Sequence, residues 1–114
     1  MPIKIVDIKL KTRTSGAECV ERDPPSVSPR KQDVDVIRIT NKNPQHTGST
    51  ITVTMDSTAG DVFDNPPTSP KDLDPGESLV LIVKSDVQPP QSTGFSTDPD
   101  TCQHHDAGDI VIQP

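Results

Sequence analysis

The residues best able to do chemistry gather late in the chain, in Cys102-Gln103-His104-His105. One further cysteine, Cys19, and one further histidine, His46, lie far upstream. A cysteine can form a disulfide, act as a thiolate toward a metal, or stay an inert thiol. With two cysteines in the chain, Cys19–Cys102 is the one intramolecular disulfide available, and it is the expected state. A metal-bound Cys102 thiolate and two free thiols are the alternatives, and the first excludes the bond. The bridge would close a long loop and stabilise the fold by roughly 4 kcal/mol in the chain-entropy account. His104 and His105 are neighbours, so on an extended segment they point to opposite sides and only one can join Cys102. The Cys-x-x-His spacing favours His105. Against that stand the plainer readings of solvated loop histidines and of His46 as a turn residue.

Other chemistry finds less support. Asp98, Asp100, Asp106 and Asp109 bracket the Cys-His segment, and Asp56, Asp61 and Asp64 form a second acidic group. Neither has the spacing of a calcium loop with a terminal Glu, and both read as solvated rims. No Gly-x-Ser-x-Gly elbow is present. Phe63 and Phe95 are the only aromatic residues, too few to line a glycosidase cleft or stack a sugar. Catalysis is not expected. The formal net charge is −6, with 11 scattered basic residues and no aromatic-basic interleaving, so nucleic acid is not an expected partner. No apolar run is long enough to span a membrane.

The elements that must position these residues read as β-strands. Valine and isoleucine dominate an apolar fraction of 29%, and 13 prolines interrupt any long helix. Val6, Ile8 and Leu10 share one face of a strand over Ile3 to Lys11. Thr12 to Arg30 reads as loop with a short edge strand. In Asp33 to Thr40 the apolar positions switch face from Val34 and Val36 to Ile37 and Ile39, a bulge or a crossing between sheets. Ile51, Val53 and Met55 alternate with threonines in the next strand, expected to form a hairpin with its predecessor across Asn41 to Gly48. A short strand is expected at Val62-Phe63. Asp74-Pro75-Gly76-Glu77 is a turn, and it launches Ser78 to Lys84. That strand is apolar on both faces, hence central or covered twice. Pro89 to Thr101 reads as loop, and Asp109 to Ile112 as the last strand. The expectation is all-β: a single domain over 1–114, a Greek-key β-sandwich of six to eight strands.

The order of certain segments resembles the cupredoxin family. Thr40-Asn41 ends a strand, His46 follows in the turn, and Leu73-Asp74-Pro75-Gly76-Glu77-Ser78 precedes a late strand. Cys102-Gln103-His104-His105 then leads to Gly108-Asp109-Ile110-Val111-Ile112. The resemblance implies copper held by His46, Cys102 and His105, a site for one-electron transfer. The family's usual axial Met and the aromatic residue before the Cys have no counterpart here: Ala107, Gly108 and Asp109 follow the second His, and Thr101 precedes the Cys. Immunoglobulin-like modules of secreted bacterial proteins resemble the same skeleton. The expected function is therefore a non-catalytic module acting in binding or structural support on a protein partner or within a parent chain. No cofactor is favoured, and a copper electron carrier is the alternative. Disulfide use points to the periplasm or outside the cell. No signal peptide precedes the first strand, and the cytoplasm is the other option.

Overall fold

The computed structural model describes residues 3–13, 19–45, 48–100, 102 and 110–114. Among the described residues, ten strands and two short 3₁₀ turns make an all-β fold: β1 (Ile5–Arg13), β2 (Cys19–Asp23), β3 (Val36–Asn41), β4 (Ile51–Met55), β5 (Phe63–Asp64), β6 (Lys71–Leu73), β7 (Ser78–Val83), β8 (Gln91–Thr93), β9 (Phe95–Asp98) and β10 (Ile110–Ile112). The count exceeds the expected six to eight because several strands are only two or three residues long.

One layer is a five-stranded sheet in the order β2-β1-β3-β7-β5. Its centre is the parallel pair β1–β3, running from Ile5↔Val36 to Leu10↔Asn41. β7 adds antiparallel to β3, and β2 antiparallel to β1. The register aligns apolar side chains in rows: Val6 with Ile37 and Leu81, Ile8 with Ile39 and Leu79. The other layer holds the sheet β6-β4-β9 and the pair β10–β8. Ile51 lies beside Leu73, and Met55 beside Phe95. Val27 and Arg30 bridge to Ile110 and Gln113, so the chain between β2 and β3 visits this second layer before returning. Buried side chains from both layers form one cluster, with Leu10, Ile37, Ile39, Ile51, Val53, Phe95, Ile110 and Ile112 all sealed from solvent.

Three expectations need correction. β3 and β4 are not a hairpin: β3 pairs with β1 and β7, and β4 with β6 and β9, so the 42–50 segment carries the chain from one layer to the other. Pro89 to Thr101 is not simply loop, because it contains β8 and β9. Thr93, Phe95 and Thr97 point inward there while Ser92, Ser96 and Asp98 stay exposed. Threonines at inward positions hid the alternation. β7 is central, one of the two placements expected of a strand apolar on both faces, and its outer residues Val80 and Ile82 remain 54% and 52% exposed. The strand after the first loop begins at Val36 instead of Asp33, with Lys31–Asp33 in a 3₁₀ turn. At the expected change of face, the N–H groups of Asp35 and Val36 both donate to the Lys4 carbonyl (2.8 and 3.1 Å), a bulge-like sharing of one acceptor.

Candidate functional site

Strand directions bring the chemistry-bearing segments to one end of the sandwich. β1 and β3 run in parallel and both finish there. β2 starts there, with Cys19 opposite Arg13 and Val20 opposite Thr12. β7 also starts there, from the Asp74–Glu77 turn.

Cys19 and Cys102, 83 positions apart in sequence, are joined by a disulfide with their Cα atoms 4.8 Å apart. Two backbone hydrogen bonds flank it: Val20 N–H to the Asp100 carbonyl (2.8 Å) and Cys102 N–H to the Val20 carbonyl (3.0 Å). The bond therefore ties the open edge of β2 to the chain leaving β9. Both cysteines are half-buried. Nearby, Arg22 points inward from β2, 5% exposed. It donates from Nη2 to the Phe95 carbonyl (2.9 Å), and its guanidinium lies 4.1 Å from the Phe95 ring centroid, a cation–π contact across the two layers.

On the other side of β1 a network of buried amides holds the base of the 42–50 segment. Asn41 is fully buried. Its Nδ2 donates to the carbonyls of Ser49 (3.0 Å) and Leu73 (2.8 Å), and its Oδ1 accepts from the Asn43 N–H (2.9 Å). Asn43 exchanges two bonds with Thr12: Thr12 N–H to Oδ1 (2.8 Å), and Nδ2 to Thr12 Oγ1 (2.9 Å). A third runs from Asn43 Nδ2 to the Ser49 carbonyl (2.9 Å). Every polar atom of these two side chains thus finds a partner, as burial requires. The neighbouring turn is locked to the same place. Gly76 N–H donates to the Asn41 carbonyl (2.8 Å), and Asn41 N–H to the Glu77 carbonyl (3.0 Å). Glu77 Oε1 accepts from the Asp74 N–H (2.8 Å). Gly76 has φ +91°, and a Cβ there would stand 3.4 Å from the Gln45 amide nitrogen, so the turn and the loop lie side by side.

His46, His104 and His105 fall outside the described residues, as do Asp106 and Asp109. What is placed is their surroundings. Asn43, three positions before His46, is bonded to Thr12 at the end of β1, and Cys102 is bonded to Cys19 on β2. β1 and β2 are neighbouring strands, so one inter-strand spacing, about 5 Å, separates those anchor strands. Cys102 is oxidised, and a disulfide sulfur is not the thiolate that binds copper. Among the described residues no group of three or more His, Cys, Asp or Glu side chains is placed to hold a metal ion. Asp98 and Asp100 are exposed near the disulfide, consistent with a solvated rim. Asp56 and Asp64 line an open groove of about 600 Å3 at the opposite end, with Met55, Phe63, Pro66 and Lys84.

Turn composition masked Asn41 and Asn43 in the sequence. The available signal was position: Ile37, Ile39 and Asn41 fall on one face at period two, so an amide occupies an inward site. No protein-family model matches the chain, and no curated protein matches it.

Proposed function

We propose that the chain is a non-catalytic extracytoplasmic β-sandwich module that recognises a protein partner through the loop end described above. The observation that carries this reading is Asn41. Its sealed amide holds Asn43 and Ser49, which lie on either side of the tip of a segment, 42–50, that contains no Ala, Val, Ile, Leu, Met or Phe. Loops held rigidly at the end of a scaffold suit recognition, because less conformational freedom is lost on binding. The disulfide fits an oxidising compartment, and no helix among the described residues is long and apolar enough to cross a membrane. The parallel β1–β3 pair speaks against a constant-type immunoglobulin arrangement, whose two sheets are antiparallel.

A photo-crosslinking side chain tests the proposal directly. Placed at exposed Lys42, it should give a discrete adduct in an extract of the native compartment. The same probe at Thr54, on an exposed face toward the opposite end, should give none. Equal labelling at both sites, or labelling only at Thr54, would overturn the assignment of the loop end.

A second reading, a copper-binding electron carrier, keeps one observation in its favour: the approach to His46 and Cys102 belong to the same end. It requires reduction of the Cys19–Cys102 bond. Copper(II) added to the reduced protein should then give an intense visible thiolate-to-copper band, weakened by His46→Ala. No such band is expected under the preferred reading.

A further inference from the structure

We draw no further inference here: the strongest candidate, the outer face of the five-stranded sheet where Ile5, Val80 and Ile82 stand exposed, is an apolar patch and nothing in the structure shows what covers it.

Discussion

The two ends of the sandwich solve the same problem by different means. At the loop end, residues 42–50 hold no Ala, Val, Ile, Leu, Met or Phe; buried amides place Asn43 and Ser49, and across β1 a covalent bond places Cys19 and Cys102. At the far end, the segments between strands carry their own apolar anchors: Ala59 and Val62 before β5, and Val87 after β7, each no more than 2% exposed. The bonds around those anchors are largely backbone to backbone, such as Lys84 N–H to the Val62 carbonyl (2.9 Å), with a partly buried lysine contact from Lys31 Nζ to the Val87 carbonyl (3.0 Å). A loop with something apolar to bury is placed by the hydrophobic effect, which is non-directional. A loop with nothing to bury must be placed by directional bonds. That difference gives the loop end a specified shape and makes it sensitive to single polar changes.

The largest expected effect removes the covalent part. Cys19→Ser with Cys102→Ser should lower stability by about 4.5 kcal/mol, the chain-entropy value for a loop of this length, read from urea unfolding. Hydrogen exchange should quicken first at the Val20 and Cys102 amides, which flank the bond, while Lys84 stays protected. Simultaneous loss of protection at Lys84 would mean that the two ends are not held separately.

Asn41→Ala should come next, at about 3 kcal/mol, because it takes a partner from the Leu73 carbonyl and the Asn43 N–H and leaves the Ser49 carbonyl with Asn43 as its remaining side-chain donor. Val87→Ala, its counterpart at the far end, removes only two methyl groups and should lose about 1–2 kcal/mol. Exchange at Gly76 and Gly48 should rise in the first variant and not in the second. If Val87→Ala proves the more damaging, packing and not directional bonding governs both ends.

A pair of glycines sharpens the contrast further. A Cβ at Gly48 would collide with Asn43 Cβ, fixed by the amide network, and with the Pro44 carbonyl oxygen, which accepts from the Gly48 N–H (2.7 Å). Gly48→Ala should therefore destabilise by about 1–3 kcal/mol. At Gly60, in the 3₁₀ turn before β5, a Cβ meets nothing within 4 Å. Gly60→Ala should be neutral, or stabilising by up to about 1 kcal/mol through a less flexible unfolded chain. Thermal unfolding of the two variants side by side gives opposite signs if the loop end is the tightly specified one.

Much of this organisation was legible beforehand. Period-two alternation marked β1, β4 and β7, and the position of Gly76 in its turn required a positive φ, which the chain adopts. Two cysteines allowed one internal bond. What pattern reading could not supply was partnership between strands. The Asn41 to Gly48 composition is equally good for a hairpin turn and for a crossing between layers, and only the inward position of Asn41 on β3 separates them. β8 and β9 escaped because Thr93 and Thr97 stand where aliphatic residues would have shown the period. Parallel pairing of β1 with β3 leaves no local mark at all, since its two strands are separated by β2 and the excursion to β10. The candidate site was legible as a place near Cys102, while the amides that shape it read as ordinary turn residues.

The smallest expected effect lies between the two ends and serves as their control. On the outer face, Arg38 donates to Asp7 from Nε (2.6 Å) and Nη2 (3.1 Å), joining β1 to β3 at paired positions. The hydrogen bond to Arg38, aided by its charge and opposed by partial desolvation, holds the Asp7 carboxyl below its ordinary range. A carboxyl with a depressed pKa in the folded state contributes stability that is fully present above the ordinary carboxylate range. That contribution is lost as pH falls through the folded pKa. Both partners are more than a third exposed, so water and salt screen the pair and the effect should be slight. The stability gap between the native chain and Asp7→Asn should accordingly be constant from about pH 7 to pH 5, close below about pH 4, and shrink in high salt. A gap that persisted at pH 2 would assign it to packing and not to charge. Because the pair sits midway along the sheet, its loss should leave hydrogen exchange at Cys102 and at Lys84 equally unchanged, and a bias toward either amide would show that the sheet centre couples to that end.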